Sequence, residues 1–276
     1  MGAESALKAA ADLTELRLRV ARLERSGSAG SPSKADETGQ DPAVLPFGID
    51  VMDRHLPGRG LGLACLHEIA AAGPEVEHGA AASLFVAGLA ARLEGIVLWV
   101  IEQRDLFAPG LAVAGLHPDR LIIAEAGKAV LLVMEEGLRH RGLAAVVGEV
   151  HGRLGLTASR RLQLAAEAGG VTGFVLRRTS LSRVPLKRTQ HPDDPAPAEP
   201  IAAATRWRIS PLLSAPPIPH APEVPGLGRA RWRVELLRCR SGTPSTWIME
   251  ACDAAGRLGM AEAVRSPVAR ARQAAG

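Results

Sequence analysis

The sequence is poor in cysteine, and its few cysteines match no disulfide or metal pattern. Cys65, Cys239 and Cys252 are an odd number and include no C-x-x-C pair, which argues against a disulfide framework and against a zinc site. The chain also lacks any run of the roughly 18 to 20 apolar residues that are needed to span a bilayer. These absences favour a cytoplasmic protein that is neither exported nor inserted in a membrane.

Lysine and tyrosine are scarce as well. The chain has no tyrosine, and its only lysines among 33 basic residues are Lys8, Lys34, Lys128 and Lys187. The 29 acidic residues nearly balance the basic ones, so the net charge is +4. A charge of this size does not by itself indicate nucleic-acid binding, and only the distribution of the arginines can argue for it.

The two side chains with which a phosphate loop performs its chemistry are missing. Such a loop reads G-x-x-x-x-G-K-[ST], because its amides surround phosphates, its lysine neutralises their oxygens and its hydroxyl ligates magnesium. Here Gly73 and Pro74 begin a similar segment, but Gly79 comes one residue later than the pattern requires and is followed by Ala80 and Ala81. Shifting the alignment by one residue also finds only alanines. The sequence therefore predicts a degenerate phosphate loop, no bound cofactor and no ATP hydrolysis.

The sequence does not decide whether the degenerate loop still binds a nucleotide weakly. Each charge-assisted hydrogen bond to a phosphate contributes about 1.5 to 3 kcal/mol, and several are missing. Amides at a helix N-terminus could still hold a nucleotide weakly. Glu75, Glu77 and Glu149 would oppose this, because they bring negative charge near the phosphates without a metal.

The first 25 residues have the spacing of an amphipathic helix. Apolar side chains recur at alternating intervals of three and four, at Ala6, Ala9, Leu13, Leu16, Val20 and Leu23. We expect this stripe, above all Leu13, Leu16, Val20 and Leu23, to bind a partner or a second copy, or else to pack on the chain's own body. Residues 26–44 are rich in Gly, Ser and Pro and predict a flexible linker. Residues 263–276 predict a basic tail.

From residue 45 onward, apolar runs alternate with helical patterns. Four runs predict strands that are buried on both faces, at residues 96–101, 121–124, 143–147 and 171–176. Three segments between them have helical periodicity, at residues 80–93, 128–141 and 157–168. Right-handed crossovers would join these elements into a mostly parallel, doubly wound α/β sheet.

After residue 176 the pattern changes. A basic, Pro-rich stretch extends to about residue 200, and a second Pro-rich connection covers residues 211–225. Segments 204–210, 231–238 and 245–252 alternate apolar and polar side chains, which predicts half-exposed antiparallel strands. We therefore expect residues 45–262 to form one core, in which antiparallel C-terminal strands extend the parallel sheet.

The order of these segments resembles the first part of a RecA-type core. Residues 45–53 read LPFGIDVMD and precede a Gly-rich turn at residues 56–61, a strand that contains His67-Glu68-Ile69, and the degenerate loop. The departures from a working loop are similar to those of the ImuA family, divergent RecA relatives from bacterial inducible-mutagenesis cassettes. The resemblance extends to about residue 252 and implies a RecA-like fold of the P-loop NTPase type.

The resemblance also marks where an active RecA relative carries its acidic groups. The catalytic glutamate would fall near Gln103, and Glu102 is a poor substitute because neighbouring strand residues point to opposite faces. The magnesium-associated aspartate would fall on Gly148, with Glu149 and His151 just beyond it. Together with the lost loop, these positions predict a pseudo-ATPase that has no catalytic residues.

Other catalytic patterns are absent from the sequence. A rebuilt cation site is conceivable, because five potential ligands would converge on one sheet edge, namely His67, Glu68, His78, Glu149 and His151. Their spacing matches no metal motif such as H-E-x-x-H, so ordinary surface residues are the simpler interpretation and we expect no metal. The sequence has no G-x-S-x-G nucleophile motif either.

A first basic cluster follows the predicted strand 171–176. Its members lie in one stretch without an acid, at Arg177, Arg178, Arg183, Lys187 and Arg188. The RecA resemblance implies a mobile DNA-contacting loop at this position, and a solvated arginine-rich loop is the alternative. Such a loop would contact phosphates and give weak, nonspecific binding.

A second basic cluster lies in and around the predicted strand 231–238, at Arg229, Arg231, Arg233, Arg238 and Arg240. Arg231 and Arg233 alternate with Trp232, so these arginines should share one face of the strand while Trp232, Val234 and Leu236 share the other. The simpler interpretation is a solvated strand surface over an apolar core. A contact with DNA or with an acidic partner segment is the alternative.

These observations favour a non-catalytic adaptor. The ImuA resemblance implies attachment to an ImuB-like homologue of Y-family polymerases and to an error-prone polymerase, with RecA as a further partner, in SOS-induced translesion synthesis and mutagenesis. A fold that loses catalysis can retain its binding surfaces. Two alternatives stay open, a DNA-binding ATPase of the recombination type and a SulA-like inhibitor of cell division.

Overall fold

The computed structural model describes residues 43–152, 154–178, 201–218, 221 and 224–261. The predicted N-terminal helix, nearly all of the predicted linker and the predicted tail lie outside these residues, as do Arg183, Lys187 and Arg188. Within the described ranges, no helix is long and apolar enough to cross a membrane.

The described chain is organised around one large sheet. The strands are β1 (Val44–Leu45), β2 (Leu61–Gly62), β3 (Leu66–Ala71), β4 (Ile96–Ile101), β5 (Leu121–Glu125), β6 (Leu143–His151), β7 (Thr172–Arg178), β8 (Thr205–Leu212), β9 (Arg231–Cys239), β10 (Ser245–Glu250) and β11 (Gly259–Met260). Among the described residues, nine strands form one sheet in the order β11-β10-β9-β8-β3-β7-β6-β4-β5. The six strands from β8 to β5 are parallel, and β9, β10 and β11 extend the sheet antiparallel at one end.

Helices cover both faces of the parallel part. The helices are α1 (Asp50–Asp53), α2 (Glu75–Ala91), α3 (Ala108–Leu111), α4 (Val130–Leu138) and α5 (Leu156–Gly169). α2 packs on one face, against β3, β7 and β8, while α4 and α5 pack on the other face. The sheet is therefore doubly wound, and its central parallel strands β3, β7, β6 and β4 are buried on both sides. The prediction was wrong for β5: this strand lies at the edge of the sheet and is partly exposed, with Ile123 at 41%.

The few aromatic residues concentrate in the core on the α2 side. All four tryptophans, Trp99, Trp207, Trp232 and Trp247, are buried there. The ring of Trp207 has its centroid 5.8 Å from that of Phe85 on α2 and 6.3 Å from that of Trp247 on β10. Burying each such side chain contributes about 1.5 to 3 kcal/mol. This cluster fixes α2 against both the parallel and the antiparallel part of the sheet.

The predicted strands and helices agree with the observed ones to within two residues at most ends, but three boundaries differ more. α4 ends at Leu138, three residues before the predicted end at 141. β6 continues to His151, beyond the predicted end at 147, because Val150 is also buried in the sheet. α2 begins at Glu75 instead of residue 80. Pro74 is the N-cap residue of this helix, and Glu75 and Glu77 in its first turn interact favourably with the positive end of the helix dipole. The short strand β11 was not predicted.

Candidate functional site

The region of interest is the sheet edge at which β3, β4, β6 and β7 end. The carboxyl ends of parallel strands lie side by side, and ligands of such folds bind in the loops beyond them. This chain places here residues 72–74, the start of α2 and the loop after β4. The degenerate phosphate loop therefore lies where a phosphate-binding protein of this topology holds its ligand.

Most of the degenerate loop is helical. Because α2 begins at Glu75, Gly79 and Ala80 lie inside the helix instead of at the junction of a loop and a helix. Gly79 and Ala81 are buried, whereas Ala80 is exposed. Only residues 72–74 separate β3 from α2. A connection of this length does not provide the run of amides that surrounds a phosphate in a working loop.

The two glycines of this segment make room for the protein's own side chains. A Cβ atom on Gly73 would lie 2.5 Å from His78 Nε2, and a Cβ atom on Gly79 would overlap the carboxylate of Glu75. His78 and Glu75 therefore fold back over the positions that face a phosphate in an active loop. The chain fills this space from within.

Arg178, the last residue of β7, joins the elements of this edge. Its Nη1 lies 2.9 Å from Glu75 Oε1 and donates to Ser83 Oγ at 3.2 Å. Its Nη2 donates to Asp105 Oδ2 at 3.3 Å, and its Nε lies 3.3 Å from Glu149 Oε2. Only 13% of the Arg178 side chain is exposed. We call Arg178 with Glu75, Asp105 and Glu149 the Arg178 cluster.

Glu149 on β6 is the buried carboxylate of the Arg178 cluster. It is 1% exposed and accepts a 2.8 Å hydrogen bond from Trp99 Nε1. Burial raises the pKa of Glu149, against the opposing effects of the Arg178 charge and the Trp99 hydrogen bond. Its neighbour Gly148, on which the resemblance placed a magnesium-associated aspartate, faces α4, where Met134 fills the space of a side chain. The carboxylate on the α2 face is therefore one residue further along the strand.

Glu102 and Gln103, at the position of the catalytic glutamate, have other surroundings. Glu102 Oε2 lies 2.8 Å from His151 Nδ1, and Gln103 is exposed. About a third of each side chain of the Glu102–His151 pair is exposed, so solvent screens the interaction. The pair ties the end of β6 to the loop after β4.

The five potential metal ligands are not brought together. His67 is fully buried, where its Nε2 donates to Gly62 O at 2.8 Å and its Nδ1 accepts from Thr205 Oγ1 at 2.7 Å. Burial lowers the pKa of His67 to about 4, so the ring is neutral. Glu68 lies on the opposite face and pairs with arginines. In the part of the chain that the structure describes, no group of three or more His, Cys, Asp or Glu is placed to hold a metal ion.

The first basic cluster begins with residues whose charges point inward. Arg177 Nη1 donates to Glu68 Oε1 at 3.1 Å, and Arg206 from β8 also donates to this carboxylate. Glu68 is 4% exposed, so both cations are held by a buried acid between β7 and β8. Arg177 also donates to the backbone oxygen of Gly152. Arg177 and Arg178 therefore stabilise the sheet edge through ion pairs.

The second basic cluster lies on β9, whose apolar residues face the α2 side as predicted. Arg231 is 8% exposed and Arg233 is half-buried. Arg238 and Arg240 are exposed, and they donate to the backbone oxygens of residues 201 and 202 at 2.8 Å and 3.4 Å. On β9 and just after it, the accessible positive charges of this cluster are thus those of Arg238 and Arg240, whereas that of Arg231 is buried.

Comparisons with known proteins identify the family. No protein-family model matches the chain. Its sequence is 44% identical to the protein ImuA of Caulobacter vibrioides, in two strains, over 218 residues that cover 76% of this chain and 84% of the relative. The chain belongs to the ImuA family.

The fold of this ImuA-family chain is similar to that of the RadB recombinase. The crystal structure of RadB superimposes with a TM-score of 0.50 and 16% sequence identity, and the match covers 79% of this chain and 100% of RadB. At this identity the similarity shows the fold alone. It confirms the RecA-like α/β fold, with a mostly parallel sheet and antiparallel C-terminal strands, that the sequence predicted.

Two members of the Arg178 cluster were missed in the sequence. Glu75 was considered only for its repulsion of phosphates, although Pro74 and the acids of the first turn are a signal for a helix start at this position. Asp105 lies in a loop with no motif around it. Its contact with Arg178 links residues 73 positions apart, and no local pattern indicates it.

Proposed function

We propose that this ImuA-family protein is a non-catalytic adaptor in SOS-induced translesion DNA synthesis and mutagenesis. It bridges an ImuB-like homologue of Y-family polymerases to RecA or DNA in the cytoplasm, and it is attached to an error-prone polymerase through that homologue. Family membership supports the pathway. The observation that carries the non-catalytic part is the phosphate-loop position, which lacks its lysine and hydroxyl and is filled by the protein's own side chains.

Electrostatics at this edge support the absence of ATP hydrolysis. A nucleotide would bring its phosphates toward Glu75, Asp105 and Glu149, three carboxyl groups that lie around Arg178. Two like charges about 4 Å apart repel by roughly 4 kcal/mol at an effective dielectric constant near 20. An active site of this kind offsets such repulsion with a lysine and a magnesium ion. Here the lysine and hydroxyl positions of the loop are Ala80 and Ala81, which can neither neutralise a phosphate nor bind magnesium.

The proposed partner contact is the N-terminal stripe of Leu13, Leu16, Val20 and Leu23. A stripe of this width suits a groove or a second helix. A domain that lacks catalysis acts through such surfaces. The spacing of these four residues predicts that they lie on one side of a helix. We propose that this face binds the ImuB-like protein.

Weak, nonspecific DNA contact is the second proposed interaction. Because Arg177 and Arg178 are engaged in ion pairs, we assign them a structural role in this proposal and give Arg231 little weight because it is buried. The proposed phosphate contacts of the first cluster are then Arg183, Lys187 and Arg188, and the second cluster contributes Arg233, which is half-buried on β9. Contacts of this kind make affinity fall steeply with salt.

The test is co-purification of the full chain with its ImuB-like neighbour, measured together with ATP hydrolysis. The informative variants are a chain without residues 1–25 and Leu16→Asp, with Leu18→Asp as the matched control, because Leu18 lies on the opposite side of the predicted helix. We expect a stable complex without hydrolysis, lost in the first two variants and retained in the control. Hydrolysis that rises with DNA, without complex formation, would overturn the proposal and favour a recombination-type ATPase.

A further inference from the structure

The carboxyl edge of the sheet contains a cation of its own. Arg178 lies between the first turn of α2, the end of β6 and the loop after β4, where an active ATPase of this fold places a lysine and a magnesium ion. We propose that Arg178 is a built-in cation that takes the place of the metal–nucleotide complex and holds this edge closed in a single state. The shape of the edge is then the same with or without a nucleotide.

The geometry suits a structural cation. The guanidinium group reaches four side chains from three different elements at distances of 2.9 to 3.3 Å. A planar guanidinium can donate in several fixed directions at once, whereas the ammonium of a lysine is a compact point charge. Arg178 contacts the start of α2 through Glu75, β6 through Glu149, and the loop after β4 through Asp105. Arg178 therefore closes the gap that a ligand fills in a working site.

The charges at this edge depend on Arg178. Among the residues that the structure describes, the groups that act electrostatically on Glu149 are Arg178 from β7, Glu75 from α2 and Asp105 from the loop, together with the hydrogen bond from Trp99 on β4. Arg178 supplies the positive charge in this set. Without it, three carboxylates would share the edge, one of them 1% exposed. Removing one partner of a buried ion pair destabilises strongly, because the other charge is left buried and unpaired.

This inference deepens the proposed function and rests on its non-catalytic part. An edge held by an internal cation requires no ATP to reach its binding-competent shape, so partner binding is not gated by nucleotide. The partner itself plays no part in the argument. Stability and hydrogen exchange therefore test this inference, while co-purification tests the adaptor function, and either can fail alone.

The first experiment compares hydrogen exchange of the full chain at residues 72–83 and 102–108 in EDTA, in Mg-ATP and in Mg-ADP. We expect no difference for the unmodified protein. In Arg178→Ala, exchange in both segments should rise about tenfold to 100-fold. Arg104→Ala is the matched control on the same loop, because the Arg104 side chain is 86% exposed and pairs with Glu125 outside the Arg178 cluster. Protection of the unmodified protein by Mg-ATP, or equal effects of both substitutions, would overturn the inference.

The second experiment tests the charge of Arg178 separately from its packing. Burial already raises the pKa of Glu149, and loss of Arg178 raises it further, so Glu149 can become neutral by binding a proton as the pH falls. The fall in Tm caused by Arg178→Ala should therefore be larger at pH 8 than at pH 5, and Glu149→Gln should restore part of it. Arg178→Lys, which keeps the charge but cannot reach all acceptors, should give an intermediate Tm. A fall in the Tm of Arg178→Ala that is independent of pH and is not reduced by Glu149→Gln would contradict the role of Arg178 as a cation.

Discussion

Gly79→Ala is the substitution that distinguishes most directly between a phosphate loop and the closed edge observed here. Gly79 lies within α2, and in the interior of a helix alanine is favoured over glycine by about 1 kcal/mol. The added Cβ atom, however, would overlap the carboxylate of Glu75, which lies 2.9 Å from Arg178 Nη1. The substitution therefore gains helix propensity but displaces Glu75 from the Arg178 cluster.

The structure gives the size and sign of the effect. The Glu75 and Arg178 side chains are 15% and 13% exposed, and a hydrogen bond between charged groups contributes about 1.5 to 3 kcal/mol. Subtracting the gain in propensity leaves Gly79→Ala destabilising by about 0.5 to 2 kcal/mol. In a Glu75→Ala background the overlap is absent, so the same substitution should stabilise the protein by up to about 1 kcal/mol.

The assay is urea unfolding of the four proteins of this double-mutant cycle, followed by fluorescence of the four buried tryptophans. The expected result is a change of sign between the two backgrounds, which reports the coupling between Gly79 and Glu75. The same free-energy change in both backgrounds would refute the reasoning, because it would mean that Glu75 does not occupy the space above Gly79. A stabilising effect in the natural sequence would have the same consequence.

Other positions give independent predictions of stability. Burial lowers the pKa of His67 from 6.5 to about 4, so the folded protein keeps this ring neutral while the unfolded chain binds a proton below pH 6.5. The free energy of unfolding should therefore fall by up to about 3 kcal/mol as the pH falls from 6.5 toward 4. His67→Gln should flatten this pH dependence, measured by urea unfolding. Arg120 donates to the backbone oxygen of residue 91, the last of α2, and to those of residues 93 and 95 just after it. Arg120→Ala should therefore cost about 2 to 3 kcal/mol, and a loss below that of Arg104→Ala would contradict this role. Gly148→Ala should cost about 1 to 3 kcal/mol because its methyl group would overlap Met134, and Met134→Ala in the same chain should recover part of the loss.

The fold was predictable from sequence because its signals are local. Buried parallel strands such as β4 and β7 appear as continuous apolar runs, and β9 alternates apolar and polar residues because only one of its faces is in the core. The start of α2 was predicted five residues late, since the resemblance to a phosphate loop was given more weight than the helix-start signal at Pro74. β11 has only two residues, and so short a segment carries no periodicity.

The candidate site was predictable only in part. The missing lysine and hydroxyl are visible as Ala80 and Ala81 in any alignment, and this loss needs no structure. The DNA-binding hypothesis for Arg177 and Arg178 rested on the RecA resemblance at this position and on the absence of acids nearby in the sequence. Their acidic partners, Glu68 and Glu149, come from β3 and β6, and the sheet order brings them into contact.

The sequence by itself determined which chemistry is lost and which segments form strands, because both depend on the identity and spacing of neighbouring residues. The tertiary structure alone decided what fills the vacated edge. Glu75, Asp105, Glu149 and Arg178 belong to four separate segments, and their meeting depends on the order of the parallel strands and on where α2 begins. A cation and its counter-charges can pair over any separation in sequence, since only their distance in space sets the interaction.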